Sequence, residues 1–230
     1  MSIRRTIFEG LTVLAALVGA CTGIRALYFK EPLDTHTEMA KSFEGEIASA
    51  AARRDLQKAN RVRQDYEQFE ENWRRSQAVA ALVEPIKELR VTTLPAAEAE
   101  HLNELVSALP PTATSAAPET MGAAYLALNE YDSAISAFGM APRGPKTLLL
   151  EATALSGKAR DTTDASLKTK YEDAARETLA MGLREAEGTA DKRDVYQFAA
   201  NSPDLKLLYS EFVKKGAASQ ERPKPMSKSQ

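Results

Sequence analysis

The amino-acid sequence predicts an all-α protein. Alanine is frequent and aromatic residues make up only 7% of the chain, a composition that suits closely packed helices. Apolar residues recur three and four positions apart in long segments, which is the period of an amphipathic helix. The alternation of apolar and polar residues that indicates strands does not occur in the sequence. We therefore expect helices packed on helices.

The composition of the 230-residue chain excludes several classes of function. The net charge is −2, so no overall basic field of the kind that binds nucleic acid is present. The single cysteine, Cys21, excludes a disulfide framework and a cysteine zinc cluster. His36 and His101 are isolated, and we expect both to be surface residues. No motif combines a nucleophile, a base and an acid, so we expect no enzyme, no cofactor and no metal site.

The first 30 residues have the features of a membrane-directing segment. Arg4 and Arg5 precede an uncharged, mainly apolar run at residues 11–24. Residues 7–29 number 23 and would span about 34 Å as a helix, enough to cross a bilayer core of about 30 Å. We expect a single-pass membrane protein with the bulk of the chain on the extracytoplasmic, periplasmic side.

A second interpretation of the same segment is a bacterial lipoprotein signal. Residues 18–21 read Val-Gly-Ala-Cys, and cleavage before Cys21 would leave this residue as a lipidated N-terminus on an envelope protein. The apolar character continues past Cys21 as far as Phe29, which favours the uncleaved anchor. Both interpretations attach the remaining chain to a membrane, and whether the N-terminus is cleaved stays open.

Residues 31–91 are predicted to form one long, charged, amphipathic helix with coiled-coil tendency, which Pro32 separates from the membrane segment. Its apolar seam repeats at intervals of four, three and four residues and consists of Val62, Tyr66, Phe69 and Trp73. Acidic and basic residues mix around the seam, which is typical of a solvated face and not of a nucleic-acid site. Either a second copy covers the seam in a parallel homodimer, or the helix folds back on the C-terminal helices.

Residues 92–215 show the pattern of paired helices, beginning with Pro95 in a first helical turn. Between residues 122 and 142, small and bulky residues alternate where two helices would cross. The residues that form this pattern are Gly122, Tyr125, Ala134, Phe138 and Ala141. Their spacing resembles that of a tetratricopeptide repeat. The resemblance covers this segment, and the antiparallel hairpins on either side are inferred from helix pairing alone.

The resemblance implies binding of another protein without chemistry. In the family, the first helix of each repeat lines an inner groove. Carried onto this sequence, that implies a partner-binding groove formed by Glu119, Ala123, Leu126 and Ala127. The alternative is that this face packs against the helix at residues 95–109 or against the long helix and binds nothing. A lysine and asparagine pair that would clamp a carboxylate is missing from the face.

These features predict a membrane-tethered, protein-binding scaffold or adaptor, as a subunit of an envelope complex. One alternative is a structural subunit that is permanently buried in a multiprotein membrane complex and has no open groove. Another is a tetratricopeptide lipoprotein attached through Cys21. Residues 216–230 are polar and contain Pro223 and Pro225, so we expect a disordered tail.

Overall fold

The computed structural model describes the backbone of residues 32–220 and the side chains of residues 36–214. Regular secondary structure in this part is helical throughout, which confirms the predicted all-α class. The predicted membrane segment with Cys21 and residues 221–230 lie outside the described residues. Within residues 32–220, no helix is both long enough and apolar enough to cross a bilayer.

Ten helices follow one another along the described chain. They are α1 (Pro32–Ala52), α2 (Leu56–Lys87), α3 (Ala96–Ser107), α4 (Thr112–Ala116), α5 (Pro118–Ala127), α6 (Tyr131–Met140), α7 (Pro145–Asp161), α8 (Ala165–Ala186), α9 (Lys192–Asn201) and α10 (Lys206–Gln220). Prolines begin α5 and α7, where the missing N–H removes no helical hydrogen bond. The last helix, α10, extends into the segment 216–230 that was predicted to be disordered, so residues 216–220 are helical instead.

The segment predicted as one continuous helix is instead a hairpin of α1 and α2. The chain reverses direction at residues 53–55, where Arg54 has a left-handed backbone with a φ of 56°. Asp55 caps the second helix, because its carboxylate accepts a hydrogen bond from the Lys58 backbone N–H at 3.0 Å. This turn allows α1 to pack along α2 within one molecule.

The C-terminal helices pair in sequence order and stack side by side. Helix α5 packs on α6, α7 on α8, and α9 on α10. The first helices of these pairs also contact one another in the order α5, α7, α9, and α8 contacts α10. Each pair therefore buries one face on its own partner and another on the neighbouring pair.

The C-terminal half of α2 belongs to the same core as these pairs. It contacts α3, α5 and α7, and its side chains Val79, Val83 and Ile86 are at most 1% exposed. The N-terminal half of α2 packs instead on α1. One helix thus connects the α1–α2 hairpin to the C-terminal body of the protein.

Gly122 marks a close approach between α5 and α6. A Cβ atom at this position would lie 2.7 Å from Cδ1 and from Cε1 of the Phe138 ring. Phe138 is 1% exposed and lies in the main core, so the ring has little space to move aside. The sequence pattern that predicted small residues at this crossing therefore corresponds to a real packing requirement.

Replacing Gly122 by alanine is expected to lower the free energy of unfolding by up to about 2 kcal/mol. Overpacking costs about 1–3 kcal/mol, and the gain in helix propensity offsets about 1 kcal/mol of this cost. Gly139→Ala is the matched control, because Gly139 also lies in the α5–α6 pair and a Cβ there meets no atom within 4 Å. Urea unfolding followed by circular dichroism measures both variants. Equal stabilities of the two would contradict the assigned packing.

Candidate partner-binding groove

The structure places most of the predicted groove residues inside the protein. Ala123, Leu126 and Ala127 are 0%, 5% and 7% exposed, and only Glu119 is partly exposed. Helix α5, which carries all four, packs against α2, α6 and α7. The C-terminal half of α2 therefore lies against the helix that was expected to face a partner. This arrangement agrees with the alternative in which the face packs on the long helix.

A local sequence signal explains this burial. Five consecutive residues of α5, from Thr120 to Ala124, are buried, so the helix is covered on every side. After Glu119 the helix contains no charged residue. A helix that is apolar all round is typical of a core position, whereas a groove-lining helix keeps a polar stripe. The resemblance implies that the small apolar residues of this helix form a binding face, but the same residue types suit a buried helix crossing.

An ion-pair cluster fixes the end of α2 against the helical pairs. Lys146, in the first turn of α7, donates a hydrogen bond to Glu88 Oε2 at 2.7 Å. The same Nζ lies 3.4 Å from Oδ1 of Asp191, the residue that precedes α9. The hydrogen bond from Lys146 holds the pKa of the Glu88 carboxyl below its ordinary value of 4.5, and the same bond raises the pKa of Lys146.

Beyond this cluster, a groove of about 740 Å³ opens between the segment 88–93 that follows α2 and one face of α9. The groove lies where the chain of α2 has ended and no longer covers the stacked helices. Its polar lining residues include Arg90, Thr92, Thr93, Asp194, Gln197 and Asn201. Leu89 and Phe198, which are 8% and 7% exposed, are apolar members of the lining.

The two sides of the groove present different polar groups. On α9, the exposed side chains Asp194, Gln197 and Asn201 are three and four residues apart and so share one face of the helix. On the opposite side, the Thr92 and Thr93 backbone N–H groups donate to no other group in the described chain. Within that same part, neither the Arg90 guanidinium nor the Asp194 carboxylate forms an ion pair. The groove therefore offers donors and acceptors that the protein itself leaves unused.

Ser202, at the end of α9, is the buried polar group of this groove. The residue is 2% exposed, and its Oγ has no hydrogen-bond partner among the described residues. A buried hydroxyl without a partner costs about 1–3 kcal/mol, so such groups are rare in folded proteins. The Oγ atom is closed off from the groove surface, so this cost belongs to the packing beneath the groove.

The seam predicted on the long helix is partly covered by α1. Val62 is 8% exposed, and Tyr66, Phe69 and Trp73 are partly buried. The aromatic rings of α1 lie against them: the Phe43 centroid is 5.6 Å from that of Tyr66 and 5.6 Å from that of Phe69. The contact with α1 explains the partial burial of this stretch of the seam. It requires neither of the two partners that were expected, which were a parallel second copy and the C-terminal helices.

His36, expected at the surface, is part of this aromatic contact. Its ring stacks on Phe69 and Trp73 at centroid distances of 5.4 and 4.8 Å, and its Nε2 lies 2.9 Å from Glu70 Oε1. His101 is exposed on α3, as expected. Among the side chains of residues 36–214, no three histidine, cysteine, aspartate or glutamate residues are grouped in a way that could hold a metal ion.

Comparison with protein-family models, with curated proteins and with solved structures gave no match to this chain. The resemblance to tetratricopeptide repeats therefore stays a prediction from the residues of one segment.

Glu88→Gln is expected to destabilise the protein by at most about 1 kcal/mol at pH 7, because the pair with Lys146 is partly exposed. The pKa of Glu88 is lowered in the folded state. The contribution of the pair is therefore complete above pH 4.5 and is lost as the pH falls through the lowered value. Thermal unfolding measured between pH 3 and 7 should show the wild type and the variant converging at low pH.

The matched control for this prediction is Glu84→Gln. Glu84 pairs at 3.4 Å with Lys87 three residues away on the same helix, so its loss releases no contact between helices. We expect a smaller change in melting temperature for this variant at pH 7. A pH-independent difference between Glu88→Gln and the wild type would show that the loss is not electrostatic.

Proposed function

We propose that this chain is a membrane-tethered, protein-binding scaffold whose helical body holds an extended segment of a partner polypeptide. The groove between residues 88–93 and α9 is the binding site, and the segment at residues 1–30 supplies the membrane attachment. The single observation that supports this most is the row of unused polar groups on both sides of an open groove. The proposed binding site therefore lies on α9, whereas the resemblance implied a groove on α5.

The dimensions of the groove fit an extended chain. Its α9 side runs from Asp194 to Asn201, about 10 Å at the helical rise of 1.5 Å per residue. An extended polypeptide advances about 3.3 Å per residue, so roughly three residues fit along this side. Gln197 and Asn201 lie one helical turn apart, about 6 Å along the axis. In an extended chain, groups that point to the same side recur every two residues, about 6.6 Å apart.

The chemistry of the lining also favours a peptide. Each side-chain amide offers one acceptor and two donors, so Gln197 and Asn201 can each bind a peptide group of the partner. Thr92 and Thr93, on the opposite side of the groove, have backbone N–H groups that make no hydrogen bond within the described chain and are further donors. The charges nearly balance, because Arg90 opposes Asp194 and Glu88 is already paired with Lys146. A nucleic acid would require an excess of positive charge that this lining lacks.

The unpaired charges set the selectivity of the site. The Arg90 guanidinium should attract an acidic side chain, and the Asp194 carboxylate should attract a basic one. We therefore expect partner segments with one residue of each charge and small polar residues between them. Hydrogen bonds to the partner backbone would add affinity without further sequence requirement.

One observation favours the second candidate, a structural subunit permanently buried in a complex. The helix expected to meet a partner, α5, is covered by the chain's own α2 and other helices of the body. In that case the groove at α9 would be a permanent subunit contact and the isolated chain would not bind short peptides. The two candidates therefore differ in whether the groove accepts a separate ligand reversibly.

The test is selection from a random dodecapeptide phage library on the detergent-solubilised full-length chain, followed by fluorescence polarisation with the selected peptides. Gln197→Ala combined with Asn201→Ala should raise the Kd about 10–100-fold, because each lost hydrogen bond costs about 0.5–1.5 kcal/mol. Gln64→Ala combined with Gln68→Ala is the control, because these exposed amides have the same four-residue spacing on α2. The control should bind as the wild type does.

Ser202→Ala adds an independent readout. Its hydroxyl makes no hydrogen bond and is closed off from the groove surface, so the variant should be at least as stable as the wild type and should bind the selected peptides equally well. Peptides that bind equally to all variants would place the site elsewhere on the scaffold. If no peptide is enriched, the permanently buried structural subunit becomes the better explanation.

A further inference from the structure

The α1–α2 hairpin projects from the body of the protein as an arm, defined here as residues 36–75. Helix α1 packs on α2 and makes no comparable contact with another described helix. Among the described residues, the first hydrogen bond from α2 to the body in chain order runs from Arg75 Nη1 to the Ala108 carbonyl at 3.3 Å. Buried residues of α2 that join the main core begin at Val79. The arm is therefore supported by only two helices.

Two helices alone leave the apolar rows of the arm incompletely covered. Near the turn, Ala50, Ala59 and Val62 are buried at 3%, 8% and 8% exposure. Further from the turn, the larger side chains are only partly buried; these are Met39, Phe43, Ile47, Tyr66, Phe69 and Trp73. A layer of two helices has two open sides, and a further layer is required to bury them. The aromatic residues of the arm thus keep surface available for another helical layer.

The charges of the arm are separated along its length. The tip, residues 53–63, carries one acidic residue, Asp55, against five basic residues, for a net charge of +4; the basic residues are Arg53, Arg54, Lys58, Arg61 and Arg63. The base, residues 38–46 and 65–75, carries seven acidic and three basic residues, for a net charge of −4. Nearly all of these side chains are exposed. The protein as a whole has a net charge of only −2, so the separation is a local property of the arm.

We infer that two copies of this chain pair through their arms in antiparallel orientation and form a four-helix bundle. In this orientation the basic tip of each copy lies beside the acidic base of the other, and both contacts are attractive. In the parallel orientation, which the seam suggested, tip would face tip and base would face base. Charges are screened over about 8–10 Å, so the charges that lie side by side decide the orientation.

The level of the two-fold axis follows from the ring contacts. Phe43 contacts Tyr66, and both lie midway between the ends of the arm. With the axis at this level, Asn60 near the tip of one copy lies at the height of Asn72 near the base of the other. The partly buried aromatic rings of both copies then meet in the centre of the bundle, as core residues of a four-helix bundle do.

The size of the arm predicts a weak dimer. The α2 part of the arm, residues 56–75, has 20 residues and is about 30 Å long, and two packed helices are about 20 Å wide. One side of the arm therefore offers roughly 600 Å², or about 1,200 Å² for both copies, which is the lower end of the range for specific interfaces. We expect a dimer whose dissociation is concentration-dependent and favoured by salt.

Orientation is tested by crosslinking the full-length chain in detergent, in a Cys21→Ser background. Asn60→Cys and Asn72→Cys are prepared separately and mixed with a short bismaleimide. The antiparallel dimer predicts crosslinks between Asn60→Cys and Asn72→Cys chains. Crosslinks of Asn60→Cys with itself would establish a parallel dimer and overturn the inference, and so would a monomer by light scattering over the whole accessible concentration range.

Charge substitution provides a second test by sedimentation. Lys58→Glu with Arg61→Glu changes the net charge of the tip from +4 to 0 and should raise the dimer Kd about tenfold; Glu67→Lys with Glu71→Lys changes that of the base from −4 to 0 and should do the same. Arg61 of one copy lies at the height of Glu71 of the other, so combining Arg61→Glu with Glu71→Lys exchanges the two charges and should bind more tightly than either single substitution. If neutralising either end leaves the Kd unchanged, the antiparallel arrangement is wrong. Helicity measured by circular dichroism shows that each variant is folded.

Discussion

Burial of the C-terminal half of α2 is the constraint on which the rest of the structure depends. Val79, Val83 and Ile86 are almost completely removed from solvent against the stacked helices. Because these residues continue the same helix that forms half of the arm, their packing also fixes where the arm leaves the body. The groove opens beside residues 88–93, where α2 ends and no longer covers the stacked helices. The helix α2 is thus part of the arm and of the body, and its end sets the position of the groove.

The fold class was predictable because it depends on local pattern. The spacing of small and large residues around Gly122 and Phe138 located a helix crossing that the structure contains. The turn at residues 53–55 was missed because it uses no glycine or proline, and its left-handed residue is Arg54. Asp55 did carry a readable capping signal. The burial of α5 was also readable, since the helix has no charge after Glu119.

The candidate groove could not be found from the sequence. Gln197 and Asn201 form the polar face of an amphipathic helix, and local pattern cannot distinguish such a face from one that contacts only water. They become part of a groove because residues 88–93, about a hundred positions earlier in the chain, lie opposite. The seam through Phe69 shows the same difficulty. Its spacing indicates that another helix packs on it. In the structure this helix is α1. The prediction of one continuous helix did not include α1 as a separate helix that could fold back on the seam.

Both ion pairs of the cluster around Lys146 depend on one side-chain amine. One nitrogen atom contacts carboxylates from two separate segments, the end of α2 and the start of α9, while belonging to a third helix. Acylation of this amine would abolish its charge and both attractions in one chemical event. The edge of the groove would then lose the ion pairs that join the end of α2 and the start of α9 to α7. The apolar packing further along α2 would remain.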